Sequence, residues 1–158
     1  GCWPDCDMLP LGRIGVRFGQ PRQTRFTPDE QKTLLTLWSI FRSPLILGAE
    51  LPSLDEATLR LLTNRDVLRL NRHSFGARQI VRDDAHAVWV SQDEDGSRYA
   101  ALFNLSEKPR EVSLDLRELE GETFACRELW SGEERTAQET LSCVIEPHGA
   151  RLFRCTEC

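Results

Sequence analysis

Leu45-Ile46-Leu47, closed by Gly48, is a wholly apolar run set between two helix starts. Such a run is what a strand covered on both faces looks like, and a strand of that kind leaves two backbone edges to be paired. Upstream, Thr27-Pro28-Asp29-Glu30 reads as a helix start. Thr27 can cap, Pro28 suits the first helical position, and Glu30 completes a capping box. Leu34, Leu37, Trp38 and Phe41 recur at three- and four-residue spacing and predict one buried face; Pro44 ends the helix. Downstream, Ser53-Leu54-Asp55-Glu56 predicts a second capping box, with Leu54, Ala57, Leu61 and Leu62 lining the helix after it. Asn64 can terminate that helix, and Val67, Leu68 and Leu70 predict a further turn or helix. Helix, buried strand, capped helix is the order of an α/β layer. Only a fragment of one is present, so the strand's partners must come from elsewhere.

After residue 78 the pattern changes. Ile80-Val81, Ala87-Val88-Trp89-Val90 and Tyr99-Ala100-Ala101-Leu102-Phe103 are short and β-rich, with Asp93-Glu94-Asp95-Gly96 as a turn between the last two. Val112, Leu114 and Leu116 alternate with Ser113 and Asp115. Residues 124–130, 141–145 and 151–155 complete about seven strands, which points to an antiparallel sandwich. The expected organisation is α/β over residues 1–78 and all-β over residues 79–158. Charge divides at the same place: 11 Lys/Arg against 8 Asp/Glu before it, 9 against 17 after it. A sign change at one point suggests two units with different surfaces.

The net charge of −5 and the scattered arginines argue against nucleic acid as a partner. No apolar run approaches the ~20 residues of a membrane helix. The opening Gly1-Cys2-Trp3-Pro4-Asp5 already reads as part of a motif, so a longer parent protein is expected. Of six cysteines, Cys155-Thr156-Glu157-Cys158 has metal-ligand or redox spacing, and Cys2 and Cys6 could add thiolates, but nothing brings the two pairs together. Reduced cysteines and no metal or organic cofactor are the expectation.

Trp3-Pro4-Asp5-Cys6-Asp7-Met8-Leu9 is the densest chemical feature. In an extended segment Asp5 and Asp7 point the same way. Carboxylates beside an indole suit a sugar, since they accept hydroxyl protons while the ring covers an apolar face. Taken alone, the pair also fits a metal loop or a plain turn. Trp-x-Asp-x-Asp-Met-Leu, followed by a Phe-Thr-x-x-Glu-Gln helix running into Leu-Trp-Ser-Ile-Phe-Arg-Ser-Pro-Leu-Ile-Leu-Gly, resembles the α-galactosidase family of glycoside hydrolases (family 27, which includes α-N-acetylgalactosaminidases). Leu61-Leu62-Thr63-Asn64-Arg65-Asp66-Val67-Leu68 and Asn71-Arg72-His73-Ser74-Phe75-Gly76 resemble later stretches of the same family. Pro4 and Cys6 depart from its usual Asn and Pro, and His73-Ser74 from its usual Gln-Asp.

The resemblance implies a (β/α)8 TIM barrel followed by a C-terminal antiparallel β-sandwich, with the active site at the C-terminal ends of the barrel strands. This chain would hold the loop after the seventh strand, the helix over residues 27–41, the eighth strand over 45–47 and the final helix. It implies that Asp7 and Met8 line the sugar pocket, that Trp3 and Asp5 fix the loop presenting them, and that both catalytic carboxylates lie upstream, so none is assigned here. The implied substrate is a terminal α-galactoside cleaved with retention, with N-acetylgalactosamine or β-L-arabinopyranose as alternative sugars. A carbohydrate-binding or structural role for the β unit is the rival from another class.

Other residues carry weaker signals. His73, His86 and His148 share no ligand spacing and suit surface or capping roles, while Trp89 and Trp130 suit a core. Asn104-Leu105-Ser106 fits a glycosylation acceptor but reads as a turn. Asp83-Asp84 and Asp93-Glu94-Asp95 read as turn charges. Glu50 would lie at the barrel's active end without a catalytic part.

Overall fold

The computed structural model describes residues 3–158; Cys2, considered above as a thiolate donor, lies outside them. Two short strands, β1 (Met8–Leu9) and β4 (Ile46–Leu47), pair in parallel with Met8 opposite Ile46. Between them run a two-stranded hairpin, β2 (Arg13–Ile14) with β3 (Arg22–Gln23), and helix α1 (Pro28–Ile40). The order strand, helix, parallel strand is one βαβ step of the predicted barrel. The apolar strand is not covered on both faces here: Ile46 is 48% exposed and Met8 53%. Among the described residues, β1 and β4 pair only with each other.

The capping box of α1 forms as its sequence predicts. Thr27 Oγ1 accepts from the Glu30 amide at 3.2 Å and Glu30 Oε2 from the Thr27 amide at 2.7 Å, and a cap of this kind contributes about 1 kcal/mol. The deepest face of α1 differs from expectation. Leu35, Thr36, Ser39 and Ile40 are fully buried, while Leu34, Leu37 and Trp38 are only partly so. The apolar side chains Leu34, Leu35, Leu37, Trp38 and Ile40 point to several sides of the helix, so spacing alone cannot choose the inner stripe, and the polar Thr36 and Ser39 lie inside it.

The second helix, α2 (Glu56–Leu62), is capped by Asp55 rather than by a box starting at Ser53. Asp55 Oδ1 accepts from the Thr58 amide at 2.8 Å, and Ser53 instead donates to Glu50 Oε2 at 2.5 Å. Asn64 begins the next helix, α3 (Arg65–His73), accepting from the Asp66 and Val67 amides.

From Ser74 onward the chain is one antiparallel ladder. Its strands are β5 (Ser74–Arg82), β6 (His86–Asp93), β7 (Arg98–Asn104), β8 (Arg110–Asp115), β9 (Thr123–Glu128), β10 (Glu134–Gln138), β11 (Thr140–Ile145) and β12 (Ala150–Glu157). Their spatial order is β5-β6-β7-β12-β9-β10-β11-β8. The ladder curls until β8 faces β7, and side chains of both layers meet in one core that includes Val88, Leu102, Leu114, Phe124, Leu141 and Phe153. This is the expected β-sandwich with eight strands instead of seven. The unread strand, β10, is polar and buries only Ala137, so it carries no apolar alternation. Strand β5 starts at Ser74, within the Asn71-Arg72-His73-Ser74-Phe75-Gly76 stretch, ahead of the change of pattern at residue 78.

A second core lies on the outer face of the sandwich. There Tyr99, Ala101, Phe103, Ala150 and Leu152 meet Leu9, Leu11, Leu35, Ile40, Val67 and Leu70. Trp89 packs at its margin, 5.9 Å from Phe41. Trp130 follows β9 in a turn, and its indole donates to Thr36 Oγ1 at 3.0 Å.

Candidate functional site

The 3–8 segment enters β1 through a backbone that a side chain rarely adopts. Asp7 has φ 64°, in the left-handed region where non-glycine residues are uncommon. The local hydrogen bonds favour it. Asp5 Oδ1 accepts from the Asp7 amide at 3.0 Å, and Asp7 Oδ1 accepts from the Met8 amide at 2.7 Å. The strict i, i+2 alternation expected of Asp5 and Asp7 is therefore broken, because it requires extended backbone at both. Asp5 spends one oxygen on the loop itself. Asp7 ties one oxygen to the next amide, and its Oδ2 is unengaged among the described residues. Trp3, Asp5, Asp7 and Met8 are all exposed.

What holds this segment lies after α1. The Cys6 amide donates to Ser43 Oγ at 3.1 Å, and the Trp3 ring lies 4.8 Å from the Arg42 guanidinium carbon, a cation–π distance. Arg42, itself at φ 63°, sends its guanidinium to three backbone carbonyls, those of Asn71 (3.0 Å), Arg72 (2.9 Å) and Ser74 (2.7 Å). Asn71 Nδ2 returns a bond to the Ser43 carbonyl at 2.9 Å. One arginine thus joins the loop, the end of α3 and the first residue of the sandwich. Gly48 approaches the same place from β4. A Cβ there would sit 3.2 Å from Met8 Cβ and 3.4 Å from the Leu9 carbonyl oxygen. Neither Arg42 nor Ser43 received a role from the sequence, and Gly48 only that of closing the apolar run, although all three lie inside the Phe-Arg-Ser-Pro-Leu-Ile-Leu-Gly stretch.

Glu50 links the other side of β4 to the β2 strand. Its Oε2 accepts from Arg13 at 3.2 Å and from Ser53, and its amide donates to the Arg13 carbonyl. Its contacts are those of a loop brace.

The seam between α3 and the sandwich is polar and closed. Asp93, whose side chain is fully buried, takes two bonds from Arg69 (2.7 and 2.9 Å) and one from the Tyr99 hydroxyl at 2.6 Å. Burial pushes its carboxyl upward, but the hydrogen bonds from Arg69 and Tyr99 outweigh that and hold it at about 2. Asp95 beside it pairs with Arg69 and Arg154 and accepts from Ser97. The Asp93-Glu94-Asp95 run is therefore a turn, as expected, and also the anchor for α3.

The remaining sequence signals resolve into structure. Asn104 is wholly buried; its amide donates to the carbonyls of Lys108, Ile145 and Glu146, and its Oδ1 accepts from Ser106. An Asn held this way organises a turn and is closed to a glycan. His73, His86 and His148 sit beside Glu94, Asp83 and Glu107 respectively. Cys155 is buried and Cys158 exposed on one extended segment, so they do not form a chelating pair. Among the described residues no group of three or more His, Cys, Asp or Glu comes together as a metal would need, and no helix is long and apolar enough to cross a membrane.

Known proteins give the same architecture. Residues 83–155 match the family model of the alpha galactosidase C-terminal beta sandwich domain. Alpha-galactosidase D of Emericella nidulans is 34% identical over 164 residues, covering 99% of this chain and 23% of its own length. The crystal structure of a family-27 β-L-arabinopyranosidase from Geobacillus stearothermophilus is 46% identical, with a TM-score of 0.94 over 100% of this chain and 38% of that one. Alpha-galactosidase I from Mortierella vinacea shares the fold at a TM-score of 0.83 and 19% identity. The chain spans about a quarter to two fifths of the length of these relatives. It belongs to the α-galactosidase family of glycoside hydrolases, family 27, and corresponds to the C-terminal part of such a protein, the end of its barrel and the sandwich that follows.

Proposed function

We propose that the parent protein is a retaining glycoside hydrolase acting on terminal sugars of galacto ring configuration, and that residues 3–8 of this chain form part of its sugar pocket. The observation that carries this reading is the Asp7-Met8 pair, exposed at the start of β1 and fixed by Asp5, Ser43 and Gly48. A carboxylate with one oxygen tied to backbone keeps the other as an acceptor for a ring hydroxyl, and a thioether beside it covers apolar ring edge. Trp3 acts through Arg42 to hold the loop. The loop supplies binding; the nucleophile and the acid/base, two carboxyl groups about 5 Å apart in a retaining enzyme, come from upstream strands.

An α-D-galactosyl group is the first substrate we assign. A β-L-arabinopyranosyl group has the same ring stereochemistry and lacks the C5 hydroxymethyl. It is the second reading, favoured by the 46% identity to an arabinopyranosidase, a protein solved also with arabinose.

The test uses the full-length protein and p-nitrophenyl glycosides. Hydrolysis of the α-D-galactopyranoside or the β-L-arabinopyranoside is expected, with Asp7→Ala lowering kcat/KM by about 100-fold or more, a loss of roughly 3 kcal/mol of transition-state binding. The isolated 158-residue chain is expected to be inactive. Activity of that chain abolished by Asp7→Ala, or no hydrolysis of either glycoside by the full protein, would overturn the reading.

A further inference from the structure

Cys126 and Cys155 are 29 residues apart in sequence and meet inside the sandwich with their sulfurs 2.9 Å apart. They are direct cross-strand partners: Cys155 of β12 lies opposite Cys126 of β9 in the antiparallel ladder. Both are essentially inaccessible, at 0% and 1% exposure, and belong to the inner core. Facing positions of an antiparallel pair hold their Cα atoms about 4.5–5.5 Å apart, within the roughly 4.4–6.8 Å that a disulfide spans. The ladder therefore supplies the spacing of a bridge without moving the backbone.

We propose that Cys126 and Cys155 are a covalent modification site, closing to a cross-strand disulfide on exposure to a low-molecular-weight disulfide. This reading is independent of the catalytic one. It replaces the Cys155-Thr156-Glu157-Cys158 spacing as the redox feature of the chain, since Cys158 is exposed and Cys155 faces inward. The other candidate partner, Cys143, sits on β11 opposite Val112.

Cys126 is the attacking thiol. The hydrogen bond shared with Cys155 favours its thiolate, burial opposes it, and the Arg135 guanidinium on the adjacent β10 strand favours it again. The same hydrogen bond and burial push the Cys155 thiol upward. Access comes through the end of β12. Its pairing with β7 stops at Cys155 opposite Arg98, and beyond that only β9 holds it. Local opening of those last pairs lifts Cys155 away and uncovers Cys126 on β9, at a cost below that of global unfolding.

The chemistry closes without another reagent. The Cys126 thiolate attacks one sulfur of glutathione disulfide, whose S–S bond breaks and releases one glutathione thiolate. Cys155 loses its proton to that thiolate and attacks the Cys126 sulfur, expelling the second glutathione as thiolate. Two electrons pass from the cysteine pair to glutathione disulfide, and two protons end on the two glutathione thiols.

The test equilibrates the reduced full chain in glutathione buffers of rising oxidised fraction. The chain is then quenched with acid, denatured, alkylated with N-ethylmaleimide, digested and mapped by mass spectrometry. One cross-linked peptide pair, joining Cys126 to Cys155 with loss of two hydrogens, is expected. Tm should rise by about 10 °C, as a bridge of this loop length gives, and return on adding reductant. A Cys143→Ser/Cys158→Ser double variant should keep both effects, and Cys155→Ala should lose both. Alkylation of Cys126 and Cys155 at every ratio, a Cys155–Cys158 link, or loss of the cross-link in the double variant would each overturn the proposal.

Discussion

Strands β5 to β12 enclose fifteen buried side chains between their own inner faces, from Val88 to Cys155. Residues 3–73 enclose none of their own. All six of their fully buried apolar side chains, Leu9, Leu11, Leu35, Ile40, Val67 and Leu70, belong to the core shared with the outer face of the sandwich. Their opposite side leaves Met8, Ile46, Leu51 and Leu59 between 48% and 67% exposed. The same chain thus holds one unit with an interior and another that borrows an interior. Burying apolar area is the main favourable contribution to folding, so the sandwich can be stable alone and the barrel segment cannot.

The sharpest way to break this comparison is to cut it. Residues 74–158 expressed alone should melt in one cooperative transition by circular dichroism, while residues 3–73 alone should show none. A cooperative melt of the shorter piece would refute the contrast. Next in size are matched truncations. Phe124→Ala, at a site 1% exposed, should cost about 4 kcal/mol in urea unfolding, and Ile46→Ala, at a site 48% exposed, under about 1 kcal/mol.

A smaller effect tests the seam. The Asp93 carboxyl titrates at about 2 in the folded protein against 3.8 for the free group. A depressed folded value means the stabilisation is fully present above pH 3.8 and is lost as pH falls through 2. It amounts to about 2 kcal/mol by the usual 1.36 kcal/mol per unit. Asp93→Asn should remove that amount and flatten the acid limb of the stability profile between pH 4 and 2. An unchanged limb would place the acid sensitivity elsewhere. The smallest effect is local. Arg42→Met should lower stability by about 1 kcal/mol while speeding hydrogen exchange of the Cys6 amide, which is bonded to the neighbouring Ser43.

Sequence readability follows the same division. The cap at Thr27 needs only four adjacent residues, and it forms as read. Helix α1, the apolar run of β4 and most of the sandwich are legible because hydrophobic runs and turn residues recur locally; β1 is not, because two residues are too short to show a period. Strand β10 is not, because a solvent-facing strand held mainly by backbone bonds needs no apolar code. The inner stripe of α1 is not, because apolar side chains lie on several sides of the helix, the stripe itself includes Thr36 and Ser39, and tertiary packing decides. In the candidate site, the Trp3 to Met8 residues stand out by composition. Their supports, Arg42 and Ser43, lie 37 or more positions away in the chain and act largely through backbone groups. The Cys126 and Cys155 pairing is set by strand register, which spacing does not encode.

The way Arg42 grips the sandwich bears on exchanging domains between relatives. Its three bonds to the rest of the chain all end on main-chain carbonyls, those of Asn71, Arg72 and Ser74, and on no side chain. Carbonyls are common to every sequence, so the joint reads the path of the backbone and ignores the residues that line it. A foreign sandwich whose first strand leaves a helix along the same path would present the same three acceptors. Grafts that preserve Arg42, the helix-to-strand corner and the outer-face side chains packed against residues 3–73 should keep the loop in place even where other transplanted side chains have diverged.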